Sequence, residues 1–129
     1  MSIEIRMKKN LGTFQLDMDI RSNSRRIGIL GASGCGKSLT LKSIAGIEIP
    51  DRGRIVMNGK VLYDSEHRVN VSPQERRVGY LFQNYALFPS MTVEKNIGIG
   101  LRCGKMEKKE KVREIMKRFH LEGLETRLP

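Results

Sequence analysis

Cysteine is scarce in this chain: of 129 residues only Cys35 and Cys103 carry a thiol. Two thiols at that separation fit neither a zinc cluster nor a disulfide framework, and reduced thiols in a cytosolic setting are expected. Long hydrophobic runs are missing too. The mostly apolar stretch Ile27 to Ala32 falls far short of the ~18 residues that a membrane span needs. The charged start, with Glu4, Arg6, Lys8 and Lys9, lacks the apolar core of a secretory signal. There is no internal repeat and no low-complexity linker. With 39% apolar residues the chain can bury the core of about one domain, which excludes a disordered or fibrous protein. A soluble cytoplasmic protein is expected.

Positive charge is plentiful. Lysine and arginine number 24 against 14 acidic residues, a formal net charge of +10. That surplus favours anionic partners such as nucleotides, nucleic acid or lipid headgroups, without choosing among them. Residues 102 to 118 are especially basic, but no aromatic residues interleave there for base stacking. A solvated helix face is therefore favoured over a nucleic-acid surface.

The pattern along the chain divides into short elements. Ile3, Ile5 and Met7 alternate with polar residues, a turn signal follows at Asn10 to Gly12, and then Phe14, Leu16, Met18 and Ile20 alternate with Gln15, Asp17 and Asp19. This predicts a β-hairpin with one buried face. Ile27 to Leu30 reads as a strand entering a glycine-rich loop, followed by a helix of about nine residues that ends at Gly46. Asn58-Gly59, between Arg54 to Met57 and Lys60 to Tyr63, is a strong hairpin signal. Ser72, Pro73 and Glu75 predict a capping box, and the short helix there should deliver the chain into a strand over Val78 to Phe82. Thr92 should cap a helix from Glu94 to about Ile99, with Gly98 and Gly100 weakening its end. A last helix from about Met106 to Phe119 puts Val112, Ile115, Met116 and Phe119 on one face, with Glu107 to Lys111 and Glu114 to Arg118 as four-apart pairs on the other.

One segment carries specific chemistry. Gly31-Ala32-Ser33-Gly34-Cys35-Gly36-Lys37-Ser38 matches G-x-x-x-x-G-K-[ST], which average residue usage produces by chance in roughly one chain of this size in a few hundred. Glycines let the backbone wrap a polyphosphate, so that amides from Gly31 to Leu39, among them those of Ser33, Gly34, Cys35 and Gly36, face its negative charge. Lys37 supplies a point charge to the outer phosphates. The Ser38 hydroxyl is the expected magnesium ligand, because magnesium takes hard oxygen donors. Binding of a purine nucleotide, ATP with magnesium, follows as the expected core activity.

Beyond this loop, Arg76-Arg77-Val78-Gly79-Tyr80-Leu81-Phe82-Gln83-Asn84-Tyr85-Ala86-Leu87-Phe88-Pro89 resembles the Q-loop region of ABC-transporter ATPase subunits. Ile44-Ala45-Gly46-Ile47 and Pro50-Asp51-Arg52-Gly53-Arg54-Ile55-Val56-Met57-Asn58-Gly59 extend the likeness to importer ATPases, most similar to molybdate or sulfate uptake subunits. The resemblance implies an α/β fold: a P-loop NTPase of the ABC ATPase type with a mixed sheet, incomplete, with an antiparallel β-subdomain and the start of the helical subdomain. Residues 1–129 would be the N-terminal part of the nucleotide-binding domain, with 1–83 as P-loop core and β-subdomain and 84–129 as Q-loop and beginning of the helical subdomain.

It also implies roles. Lys37 and Gln83 would act in catalysis, and Gln83 would join Ser38 on magnesium and reach the attacking water. Residues 84–101 would meet a membrane permease, with Tyr85, Leu87, Phe88 and Met91 as its docking patch or, alternatively, as part of the core. The full-length subunit would form a homodimer, cytoplasmic and peripheral at the inner face of the cell membrane. Phe14 is the nearest candidate for the aromatic that stacks on adenine, while its phase with Leu16, Met18 and Ile20 assigns it to the core. Cys35 reads as a small loop residue, although a thiol beside a helix start and Lys37 can have a lowered pKa.

Other parts of the family pattern are missing from the sequence. There is no L-S-G-G-Q signature and no apolar strand ending in Asp-Glu, and neither His67 nor His120 stands like the switch histidine. The chain thus resembles the N-terminal half of an ATPase subunit, expected to bind nucleotide without appreciable turnover, since phosphoryl transfer needs several groups positioned together. Two competing readings are another P-loop class, which lacks support because no guanine-reading N-K-x-D motif occurs, and a non-catalytic piece that docks on a permease through residues 84–101.

Overall fold

The computed structural model describes residues 2–129. They form two compact units, the first running to Tyr80 and the second from Leu81 to Pro129.

The first unit is built on β1 (Ile3–Asn10) and β2 (Gln15–Ser22), which pair antiparallel with Ile5 opposite Ile20 and Met7 opposite Met18. Their connection is closed by Leu11 N donating to Phe14 O at 2.8 Å and Gly12 N to Asn10 Oδ1 at 2.9 Å. On the other side of β1 lies β3 (Arg52–Met57), which turns at Asn58-Gly59 into β4 (Lys60–Asp64), and β4 pairs with the two-residue β5 (Val69–Asn70). The strand order is β2-β1-β3-β4-β5, antiparallel throughout. Asn58 and Gly59 both have positive φ, 50° and 77°, as a two-residue turn that matches strand twist requires.

Alternation then sorts the two faces. Ile3, Ile5, Met7, Leu16, Ile55 and Leu62 are buried together, with Ile44 of α1 (Lys37–Ala45) against them. The opposite face is solvated and carries Glu4 on Arg21, Arg6 on Asp19 and Lys8 on Asp17 across the β1–β2 pair. Exposed pairs of this kind contribute about 0–1 kcal/mol each; they favour this register over a one-residue slip, which would invert both faces. Gly53 in β3 is required by close approach, since a Cβ there would stand 2.0 Å from Arg6 O.

Two expected strands are not formed. Ile27 to Leu30 and Val78 to Phe82 are irregular, Leu30 is 97% exposed, and the sheet is antiparallel rather than mixed. Each hairpin of the sheet finds its partner a few residues away, whereas an isolated apolar run has backbone groups that only a distant strand could pair. The capping box at α2 (Pro73–Arg76) also differs: the Ser72 hydroxyl donates to Glu75 Oε2 at 2.8 Å instead of accepting from a backbone amide.

In the second unit, Thr92 caps α3 (Val93–Gly98) by accepting from Lys95 N at 3.4 Å. The leading amides of α3 are taken by the C-terminal stretch, Val93 N by Arg127 O at 2.8 Å and Glu94 N by Glu125 O at 3.1 Å. α4 (Lys105–Arg118) buries Val112 and Met116, and Glu107 pairs with Lys111 at 2.6 Å. Gly98 lets α4 come close, because a Cβ there would be 3.0 Å from Lys108 Cε. Phe119, expected on the buried face, is 65% exposed. It is the C-cap, with φ −103° and ψ 11°, so its side chain leaves the helical stripe. Among the described residues no helix is long and apolar enough to cross a membrane.

Candidate phosphate-binding site

Residues 31–38 connect the irregular stretch after β2 to the first turn of α1. Gly36 is the N-cap of α1 with φ 96°, and a Cβ on it would lie 2.6 Å from Leu16 Cδ1. The loop therefore rests directly on a buried side chain of β2. At Gly31 a Cβ would come within 2.6 Å of Cys35 Sγ, so a side chain there would require the Cys35 thiol to shift. Thr40, fully buried, fastens the loop from below: its amide and its hydroxyl both donate to Gly36 O, at 2.9 and 3.0 Å.

The first turn of α1 has neither a side-chain cap nor an acidic residue. Leading helix amides have no intrahelical acceptors, so Lys37, Ser38 and Leu39 offer N–H groups together with the positive end of the helix dipole. This is the electrostatic character of an anion seat. Lys37 is half-buried, and its ammonium donates to Gly31 O and Ala32 O, both at 2.7 Å, with Cys35 Sγ 3.8 Å away. It lies across its own loop on a flexible stem. The Ser38 residue is exposed. Lys37 and Ser38 also line an apolar cleft of about 500 Å³ with Ile27, Ile29, Leu41 and Ile44. Among the described residues no three His, Cys, Asp or Glu side chains converge as metal ligands, so a magnesium ion here would rely on the Ser38 hydroxyl and on the oxygens of its own ligand.

Phe14 is half-buried and packs on the core cluster of the sheet. Gln83 belongs to the second unit, in an exposed turn. That unit also holds Tyr85, 71% exposed, with Leu87 and Phe88 exposed beside it. Tyr85 and Ala86 both have positive φ, 59° and 49°, a strained pair of conformations for residues with side chains.

One residue that drew no notice in the sequence organises this loop. Asn96 of α3 accepts from Phe88 N at 2.8 Å and donates to Phe88 O, Met91 O and Thr92 O at 2.9 to 3.2 Å. An asparagine four residues after a helix cap, preceded by a Pro-Ser-Met-Thr turn, was the available signal.

Residues 14–129 match the family model described as ABC transporter. The chain belongs to the ABC transporter family. Among ABC relatives it is 43% identical over 117 residues to a spermidine/putrescine import ATP-binding protein of Oleidesulfovibrio alaskensis, an alignment covering 88% of this chain and 30% of that protein. It is 42% identical to a sulfate/thiosulfate import ATP-binding protein of Thermosynechococcus vestitus, covering 95% of this chain and 37% of the relative. With a molybdenum import ATP-binding protein of Aliivibrio fischeri it shares 40% identity, over 97% of this chain and 34% of the relative. The chain thus spans about a third of the length of these ABC relatives. Its fold is that of ABC cassettes: a dimeric post-hydrolysis cassette bound to ADP and phosphate superposes with a TM-score of 0.73 at 20% identity, covering 100% of this chain and 62% of that one.

Proposed function

We propose that this chain is the nucleotide-binding portion of an ABC importer ATPase subunit, holding the phosphates of MgATP on residues 31–38. The observation that carries the reading is the junction of loop and helix: a glycine loop leads into a helix start without a side-chain cap, and the Lys37 ammonium lies back across that loop on Gly31 O and Ala32 O. In this reading the amides from Gly34 to Leu39 bind the phosphate oxygens, Lys37 turns from Gly31 O and Ala32 O to the outer phosphates, and Ser38 contributes one oxygen to magnesium. Bound magnesium would neutralise phosphate charge. For Gln83, in the second unit, the family resemblance implies a part in holding magnesium and water that would be played only in the complete subunit.

The second unit serves the membrane partner. Exposed Tyr85, Leu87 and Phe88, on a strained loop held by Asn96, suit docking on the apolar surface of a permease. The relatives are named for spermidine, sulfate and molybdenum import, cationic and anionic solutes at nearly equal identity, so no solute is assigned. Turnover requires groups that this sequence does not supply, and the chain by itself binds without hydrolysing.

Competition at fixed magnesium tests the reading: a fluorescent ATP analogue should be displaced by ATP, and Lys37→Ala should abolish its binding. A magnesium-dependent ATPase rate in this chain that vanished with Lys37→Ala would overturn the statement about turnover. No binding in either protein would overturn the nucleotide reading itself.

A further inference from the structure

The phosphate site sits at one end of α1, and the other end is held by a residue the site does not use. Arg76, the last residue of α2, is only 5% exposed. Its Nη1 donates to Ser43 O at 2.7 Å and to Ile44 O at 2.9 Å, Nε to Val71 O at 2.7 Å, and Nη2 to Asn70 Oδ1 at 3.0 Å. All four acceptors are uncharged oxygens. A buried cation with such partners is costly; what offsets the cost is the negative end of a helix dipole and the last-turn carbonyls of α1, of which Ser43 O also accepts from Gly46 N at 3.2 Å.

Gly46 makes the arrangement possible. It ends α1 with φ 82°, and a Cβ on it would stand 2.6 Å from Arg76 Nε and 2.8 Å from Cζ. The guanidinium occupies the space where any other residue would carry its side chain. α1 is therefore pinned twice, by Gly36 resting on Leu16 at its start and by Arg76 over Gly46 at its end.

We propose that Arg76 is a positioning residue for the phosphate site. By holding the carbonyls of Ser43 and Ile44 it sets the axis of α1, and so the direction in which Lys37, Ser38 and the loop amides point. At ~1.5 Å per residue α1 is about 13 Å long, and a tilt of about 10° at its C-terminal end displaces its first turn by about 2 Å. Charge-assisted hydrogen bonds to a phosphate do not survive a displacement of that size. The functional half of the proposal rests on the nucleotide reading above; the structural half does not.

The test uses Arg76→Ala, Arg76→Lys and Gly46→Ala in the whole chain, with two readouts. One is the dissociation constant for MgATP, and the other is amide hydrogen exchange of residues 34–40 without nucleotide. Arg76→Ala should weaken MgATP binding at least tenfold and speed exchange at residues 34–40. Guanidinium ion at about 10 mM should restore both, where sodium at equal ionic strength does not. Gly46→Ala should act in the same direction, with a smaller further effect in the Arg76→Ala background than alone. Should Arg76→Ala not fold, Arg76→Lys, which keeps the charge but not the fork of donors, should still give several-fold weaker binding and faster exchange. Binding within twofold of wild type with unchanged exchange, in whichever variant folds, overturns the proposal. If the wild type does not bind MgATP, the nucleotide reading fails, and exchange at residues 34–40 alone decides whether Arg76 positions the loop.

Discussion

Ile55 and Leu30 both sit in short apolar runs, yet Ile55 is fully buried in β3 and Leu30 is almost fully exposed in an irregular segment. The difference lies in the neighbours. β3 finds β4 across a two-residue turn and β1 on its other side, while nothing within a few residues of Ile27 to Leu30 can pair with it. Apolar composition makes a segment fit to be a strand, and pairing makes it one.

The sharpest way to break this contrast is truncation at both positions. Ile55→Ala should destabilise the chain by about 2–5 kcal/mol, and Leu30→Ala should change it by less than about 0.5 kcal/mol, both read by chemical denaturation. Equal effects would mean that Leu30 is packed. The turn that closes β3 on β4 is next in size. Gly59→Val forces a β-branched residue into the left-handed region and should lower stability by about 1–3 kcal/mol, whereas the same change at exposed Gly100, with no positive φ, should do much less.

A smaller effect of opposite sign is expected in α1. The Ser43 hydroxyl is buried without a hydrogen-bond partner among the described residues, so Ser43→Ala should stabilise by about 1 kcal/mol, through removal of an unsatisfied group and better helix propensity. A loss of stability would mean that the hydroxyl is bonded.

The smallest effects concern pH. Backbone donation from His67, with the His67 ring and the Glu66 amide adding to it, holds the Asp64 carboxyl below its ordinary value. A depressed folded-state pKa contributes stability above the unfolded value and loses it as pH falls through the folded one. Asp64→Asn should therefore flatten the acid limb of a stability-against-pH curve. Tyr63 is the reverse case: burial first, then Asp51 and Asp64, raise its pKa, and its hydroxyl donates to Pro50 O at 2.6 Å. Its contribution is complete below the unfolded pKa and is lost as pH rises through the folded one. Tyr63→Phe should remove that alkaline loss.

The same contrast explains what was legible in the sequence. Alternation from Ile3 to Ile20, the Asn58-Gly59 turn, the Thr92 cap and the Gly46 helix end all act within a few residues, and all four are present in the structure. The glycine pattern of residues 31–38 is visible in the sequence, but the support that Gly36 finds on Leu16 is not local and was not legible there. Arg76 and Asn96 were not readable in their roles. Arg76 reaches Ser43 across 33 residues by tertiary approach, while the partners of Asn96 lie within eight residues but an asparagine inside a short helix has no periodic signal beyond its place after the Thr92 cap. The strands expected at residues 27–30 and 78–82 failed for the reason given for Arg76.

The most direct measurement is a thermal melt of the chain with and without about 1 mM MgATP, beside Lys37→Ala. A ligand present at ~10-fold its dissociation constant adds roughly 1.4 kcal/mol of stability, which is several degrees for a domain of about this size. An upward shift in the wild type that is absent in Lys37→Ala is the predicted result. Melting curves that coincide for both proteins at every MgATP concentration would contradict the assignment of residues 31–38 as a working phosphate site.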